Sequence, residues 1–553
     1  MFTFITLLAF APAQPVAADA VFLNGKIWTG NAAQPEAAAL ATWHGLILKV
    51  GSNDDVKALI GPGTKTIDLA NRRVVPGFYD SHVHFLGGGR SLNQVDLKDA
   101  KDEAEFAKRL KEWDTKTTKS RWLLGGNWDH DRTFAGKLPT AATVDVVIKD
   151  RPVFISRYDG HMALVNSVAL KLAGIDAKTK DPAGGVIERN ADGSPSGILK
   201  DNAMSLVDKL IPEPDDEEIR ESIQAAMNAC AAAGITSIQD MDGSSPDTRV
   251  KLFRRLQSLS RQSRLSVRID LRWPIAAWQD LAKLGTTANF GSDMVRIGGV
   301  KGFMDGSLGS STAKMAAPFD SDAKTSGVYV TEPAVMKRLV KQAHDARLSV
   351  AVHAIGDEAN HQLLAIFAEH YDEFFPAPRF RIEHAQHLKP DDIGTFRTIG
   401  VIASMQPYHV IDDGRWAEGR IGKKRCESSY AFRSLLDEKA ILAFGSDWPV
   451  APLNVLEGID AAVNRRTLDG KNPNGWFPQQ RITVAEAVKA YTWGSAYAAN
   501  QEKEKGTLEA GKFADLVVLD TDIFDPKNND AIAKTKVELT VVNGMIVFEK
   551  KSR

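Results

Sequence analysis

The sequence predicts an α/β protein in which a (β/α)8, TIM-like barrel is inserted into a small β-sandwich formed by both termini, with an insertion subdomain after the first barrel strand. Three observations predict it. Eight β-rich runs alternate with helical patterns from residue 72 to 450, as in a parallel barrel whose functional end lies at the carboxyl ends of its strands. Short β-rich segments flank that middle on both sides. The stretch from 86 to 228, between the first and second barrel strands, is far longer than a barrel loop needs.

In chain order, the first element is the leader "MFTFITLLAFAPAQPVAADA", apolar from Phe2 to Ala11 and followed by the small-residue step Ala11-Pro12-Ala13. Residues 1–18 therefore read as a signal peptide without the usual basic start, which predicts a periplasmic or secreted protein. The alternative is an apolar N-terminus on a cytoplasmic enzyme. Its apolar core, about ten residues long, is too short to span a bilayer. "AVFLNGKIWTG" and "LILKVGS" then read as short strands, with Asn24-Gly25 as a type I′ hairpin signal. "ADLVVLD" and "VELTVVNGMIVFE", with Asn543-Gly544, echo them at the far end. Residues 19–73 and 506–553 are assigned to the composite sandwich, and 74–505 to the barrel domain with its 86–228 insert.

The first barrel strand lies in "VVPGFYDSHVHF", where side-chain alternation puts Asp80, His82 and His84 on one face. The insert follows, with pieces such as "RPVFISRYDGHMALVNSVALKLAGI". Its opening "FLGGGRS" reads as a mobile or tight loop, because no Gly-Lys-Ser/Thr completes a phosphate cradle. The remaining strands lie in "GITSIQDM", "LSVRIDL", "RIGGVKGFMDGS", "SVAVHAIGD", "FRIEHAQHL", "VIASMQPYH" and "AILAFGSDWPV". Strand ends one, four, five, six and eight supply His82, His84, Lys301, His353, His384 and Asp447. Each alone is weak evidence, but four imidazoles, a lysine and a carboxylate at one end of one barrel form a convergent set, hard to obtain from packing alone.

A formal net charge of −1 gives no support to nucleic acid or an anionic membrane as the main partner, and no run is apolar enough for stable membrane insertion. Cys230 and Cys426 are too few for a disulfide framework. A small-molecule substrate is the expected partner, and a homodimer is left open.

"PGFYDSHVH", "VKGFMDGSLGS", "VHAIGD", "RIEHAQH" and "GSDWPV" resemble the amidohydrolase superfamily of metal-dependent hydrolases, in its YtcJ-like or amidohydrolase-3 branch. The resemblance extends to the terminal "LNGKIWTG" and "GTLEAGKFADLVVLD" segments, which build the β-sandwich in that family. It implies that His82, His84 and Asp447 hold one metal and His353 and His384 the other, with Lys301 shared. A cationic lysine beside two dications is costly, so carboxylation of Lys301 to a carbamate is expected. Zinc is the expected metal, two per chain, with manganese, iron or cobalt as substitutes. Metal-bound hydroxide would attack an amide or N-acyl carbonyl, with Asp447 moving the proton to the leaving amine.

Other residues are weighed against plainer roles. Lys301 has an alternative as a salt-bridge partner of Asp305. His161 in "RYDGHM" is a substrate-contact candidate because its "DGH" matches the family. Trp128, Tyr158 and Trp448 are pocket-lining candidates, although aromatic residues are more often core. His409, after the seventh strand, either touches substrate or is structural. Asp240 and Asp242 are read as turn residues. The function expected is hydrolysis of a carbon-nitrogen bond other than a peptide bond. The rivals are a mononuclear deaminase or a lactonase of the same superfamily, and a noncatalytic metal-binding protein. A serine hydrolase is disfavoured, since no G-x-S-x-G occurs.

Overall fold

The computed structural model describes residues 16–97, 100–118, 121–157, 162–182, 185–241, 246–309, 311–370 and 379–551. Within them the chain divides into two compact units, drawn from Met1–Phe85, Met227–Gly243 and Leu256–Arg553, and from Leu86–Ala226 and Ser244–Arg255.

The first unit is built on eight strands: β1 (Phe78–Val83), β2 (Ile235–Asp240), β3 (Arg268–Pro274), β4 (Val295–Phe303), β5 (Val350–Ala354), β6 (Phe380–His384), β7 (Ile402–Met405) and β8 (Leu442–Phe444). Each lies parallel to the next, in sequence order around the sheet. The ring nearly closes through the segment after β8. There Val83 bridges Trp448, the Asp447 N–H donates to the His82 carbonyl at 2.7 Å, and the His84 N–H donates to the Trp448 carbonyl at 2.8 Å. A Cβ at Gly445 would sit 2.5 Å from the His82 nitrogen, so glycine permits this close approach.

Strands buried on both faces read as apolar runs rather than alternating ones. All six residues of β1 are buried, polar Asp80, Ser81 and His82 included. Helices flank the strands by burying one stripe: Pro333–Asp345 opens on proline and buries Met336, Val340 and Ala343, spaced for one helical face. Met336 and Val340 each contribute about 1.5–3 kcal/mol when buried.

Two more sheets belong to this unit. One orders Leu46–Gly51, Ala39–Trp43, Ala20–Leu23 and Lys65–Asp68. The other orders Met545–Glu549, Val537–Val542, Leu516–Leu519, Arg73–Pro76, Lys26–Trp28 and Glu36–Ala37, joining the two chain ends where Leu516–Leu519 pairs antiparallel with Arg73–Pro76. Phe22, Leu40 and Ile47 of the first share a core with Val74, Leu516, Val518 and Val541 of the second. Asn24-Gly25 does not close a hairpin, contrary to the turn signal. Ala20–Leu23 and Lys26–Trp28 go to different sheets, and only Asn24 of the two takes positive φ. Asn543 and Gly544, with φ of 55° and 73°, do join an antiparallel pair, as a type I′ turn requires.

The second unit has a six-stranded sheet ordered Gly185–Arg189, Pro195–Asp201, Met162–Val165, Val153–Arg157, Leu123–Trp128 and Val95–Asp96. Alternation sorts its side chains into two cores: Val153, Ile155, Leu164 and Ile198 in one, Phe154, Ala163, Val165 and Leu199 in the other. The "FLGGGRS" stretch is helical, Phe85–Leu92, rather than a loop. Its Gly89 lies against Asp216–Ala232, where a Cβ would meet the Ser222 carbonyl oxygen at 2.0 Å. Among the described residues no helix is long and apolar enough to cross a membrane.

Candidate metal centre

At the carboxyl end of β1, alternation aims Asp80 and His82 into the barrel, and His84 follows one residue beyond the strand. The Oδ1 atom of Asp80 accepts the His82 N–H at 3.1 Å and the Ser446 N–H at 2.9 Å, pinning the end of β1 to the segment after β8. That segment delivers Asp447 in the left-handed region, φ 62°. Its Oδ1 lies 3.4 Å from His82 Nε2 and 3.1 Å from His84 Nε2, and its Oδ2 lies 3.8 Å from His409 Nε2.

Alternation alone would put Glu383 and His384, adjacent on β6, on opposite faces. His384 instead takes φ 74° and Ala385 φ 44°, and both side chains reach the site. The His384 ring is 5.0 Å from that of His82 and 4.5 Å from that of His353, while Glu383 Oε2 meets His82 Nδ1 at 2.7 Å.

Two groups bring their ligand atoms within 4.8 Å of one another: His82, His84 and Asp447, and His384, His409 and Asp447. Asp447 is their common member. His409 thus falls among the potential ligands, whereas His353 lies beside His384 with Nε2 at 2.9 Å from the Gly306 carbonyl. Lys301 is buried, its Nζ 4.6 Å from the Phe303 ring centroid. Asp305 is not its salt-bridge partner: the two carboxylate oxygens of Asp305 accept the N–H groups of Lys314, Ile355 and Gly356.

Burial, reinforced by Lys301, pushes the His82 and His353 imidazoles down to about 4. Burial beside His353 drives His384 well below its ordinary value. Burial opposes ionisation of Asp447, yet His82, His84 and His384 around it hold the carboxyl well below the usual range. Burial also lowers the Lys301 amine to about 8, against the pull of Glu383 and Asp447.

These residues fit a divalent cation. Neutral imidazoles and an ionised carboxylate are the ligand forms. His384 Nδ1 and His409 Nε2 are buried without a hydrogen-bond partner among the described residues. With its Nδ1 against the Glu383 carboxylate, His82 turns Nε2 toward an Asp447 oxygen 3.4 Å away. A cation makes that contact attractive.

The remaining candidates divide. Tyr158, His161 and Asp242 lie outside the described residues. Trp448 is buried beside Asp447, its N–H donating to Ser446 Oγ. Trp128 is a correction: it is fully buried in a core of the second unit, its indole N–H donating to the Ile155 carbonyl at 2.9 Å, so it presents no face to a ligand there. Asp240 caps the backbone, accepting the Phe85 N–H. Sequence reasoning passed over Glu383 and its ion-pair partner Arg381. The signal was present, since two charges inside a buried parallel strand are affordable only when paired.

A parallel barrel with this imidazole-carboxylate cluster at its strand ends defines an enzyme of the metal-dependent hydrolase class. A model of the amidohydrolase family matches residues 65–548. The chain belongs to that family, in its YtcJ-like branch. It is 37% identical to Protein LONG AFTER FAR-RED 3 of Arabidopsis thaliana over 98% of this chain and 94% of that protein. It is 32% identical to the Bacillus subtilis (strain 168) protein named "Putative amidohydrolase YtcJ", over 96% and 99% respectively. An N-substituted formamide deformylase of Arthrobacter pascens is 25% identical over 96% of this chain and 98% of its own. Among solved structures, an uncharacterized metal-dependent hydrolase from Pyrococcus horikoshii superposes with a TM-score of 0.77 at 30% identity, covering 92% of this chain and 98% of that one.

Proposed function

We propose that the protein hydrolyses a carbon-nitrogen bond other than a peptide bond, in an amide or N-acyl group of a small molecule. The observation that carries this reading is the carboxylate of Asp447 standing as the common vertex of two imidazole pairs, His82 with His84 and His384 with His409. The kinship with an N-substituted formamide deformylase supports the bond type. His82, His84 and Asp447 would hold one zinc, and His384 with His353 or His409 a second; manganese, iron or cobalt suits the same donors. Bound there, the metal supplies Lewis-acid polarisation of a carbonyl and an acidified water.

The chain's own groups do the rest. Asp447, ionised, accepts the proton of the attacking water at Oδ2 and returns it to the leaving nitrogen. The neutral amine of Lys301 would add CO2 and release one proton, leaving a carbamate whose two oxygens and one negative charge suit it as a further cation ligand. Trp448 is assigned to substrate contact, the terminal sheets to the β-sandwich, and residues 1–18 to an export leader.

His82→Ala tests the centre. Loss of a direct ligand should weaken metal binding by more than the about 10–100-fold typical of an outer partner, and activity on N-formyl and N-acyl amines should fall with it. Unchanged metal content removes His82 from the ligand set. Deleting residues 2–13 should hold the protein in the cytoplasm on cell fractionation, and undiminished export would count against the leader.

A second reading, a mononuclear deaminase, draws on one observation. Both ligand groups around Asp447 are complete without Lys301, whose Nζ rests over Phe303.

A further inference from the structure

We infer that Glu383 is a positioning residue for His82: with Arg381 behind it, it fixes the tautomer and the orientation of that imidazole so that Nε2 faces Asp447. This rests on the reading of His82 as a metal ligand. Both side chains are almost wholly removed from solvent, and Glu383 Oε2 lies 2.7 Å from His82 Nδ1. A carboxylate only accepts, so the proton of the neutral ring sits on Nδ1 and the Nε2 lone pair is free.

Arg381 holds Glu383 in place. Its guanidinium pairs with Glu383, and its other nitrogens donate to Gln239 Oε1 and, at 3.0 Å, to the carbonyl oxygen of Ser81. Ser81 immediately precedes His82. Strand β6 therefore holds the ring of His82 through Glu383 and the backbone beside it through Arg381. Gln239 on β2 accepts a second guanidinium, Arg272 of β3, at 3.1 Å, which braces Arg381 laterally. Residues 381 and 383 face the barrel interior from alternate positions of one strand, so a single β6 register sets the whole arrangement. Outer partners of this kind orient the ligand and raise its basicity.

The test uses the full-length protein in two measurements. In the metal-free wild type labelled with 15N-histidine, with His82 assigned through His82→Asn, the ring should carry its proton on Nδ1. In zinc titrations against a competing chelator, Glu383→Gln keeps the shape and loses the charge: the thermal midpoint should fall, because buried Arg381 loses its ion-pair partner, and the zinc affinity of the protein that remains folded should fall about 10–100-fold. A proton on Nε2 overturns the inference, and so does a folded Glu383→Gln protein that binds zinc within about twofold of wild type. If Glu383→Gln does not fold, the wild-type tautomer decides alone. Wild type that takes up no zinc overturns the metal reading itself, a result distinct from either.

Discussion

Asp447→Asn should leave a folded barrel and lower kcat by about 10²–10⁴-fold, the range a proton-transfer group contributes. Asparagine is the informative replacement because the backbone at this position is unusual. Asp447 sits at φ 62°, its N–H closes the barrel onto the His82 carbonyl, and its carbonyl accepts the Val450 N–H at 2.8 Å. Asparagine tolerates the left-handed region as readily as aspartate, whereas alanine would add backbone strain to the loss of chemistry. The carboxylate itself is divided, with Oδ1 toward His82 and His84 and Oδ2 toward His409. An amide has no charge to offer a cation and no basic oxygen to accept a proton. Circular dichroism and the melting midpoint should stay near wild type while turnover of an N-acyl substrate collapses. Near-normal turnover would remove the proton-transfer role from Asp447, and a collapsed melt would instead make the residue a keystone of barrel closure.

The parts of this protein legible in its sequence are those governed by strand periodicity. Each of the eight β-rich runs holds one strand of the parallel ring, because buried parallel strands must be apolar and bounded by turns. Alternation likewise aimed Asp80 and His82 correctly. It failed where backbone dihedrals leave the β region. At His384, φ of 74° turns an adjacent pair, Glu383 and His384, toward one site, and no spacing rule anticipates that. His409 was legible as a residue at the end of the seventh strand, but not as a potential ligand. It lies in the first turn of the helix Pro407–Asp413, past β7, so its reach toward Asp447 depends on the helix start rather than on the strand. Asn24-Gly25 has the chemistry of a tight turn, but the decision to send its flanks to two sheets is tertiary and outweighs the local signal. Trp128 shows the limit of composition: an aromatic near a motif is as serviceable to a core as to a pocket, and the satisfied indole N–H settles which.

Lys301→Ala should change the number of metals the protein carries. On protein grown with zinc and bicarbonate, wild type is expected to hold about two ions per chain and the variant one or none. The expectation follows from where the amine sits. Lys301 is buried on β4, among His82, His353, His384, Glu383 and Asp447, with burial lowering its amine to about 8. An uncharged fraction is then present near neutral pH, and that is the form able to add CO2. As an ammonium the same group would repel a second dication, so occupancy of the second position depends on the change of charge from positive to negative. Two controls separate this from packing. Stripping bicarbonate from wild type should mimic the variant, and adding acetate to the variant should restore part of the lost metal, because a small carboxylate supplies the same two oxygens in the vacated volume. One metal in wild type and variant alike would make Lys301 structural and bring deaminase substrates to the front, while none in either would leave a binding protein that has kept an enzyme's fold.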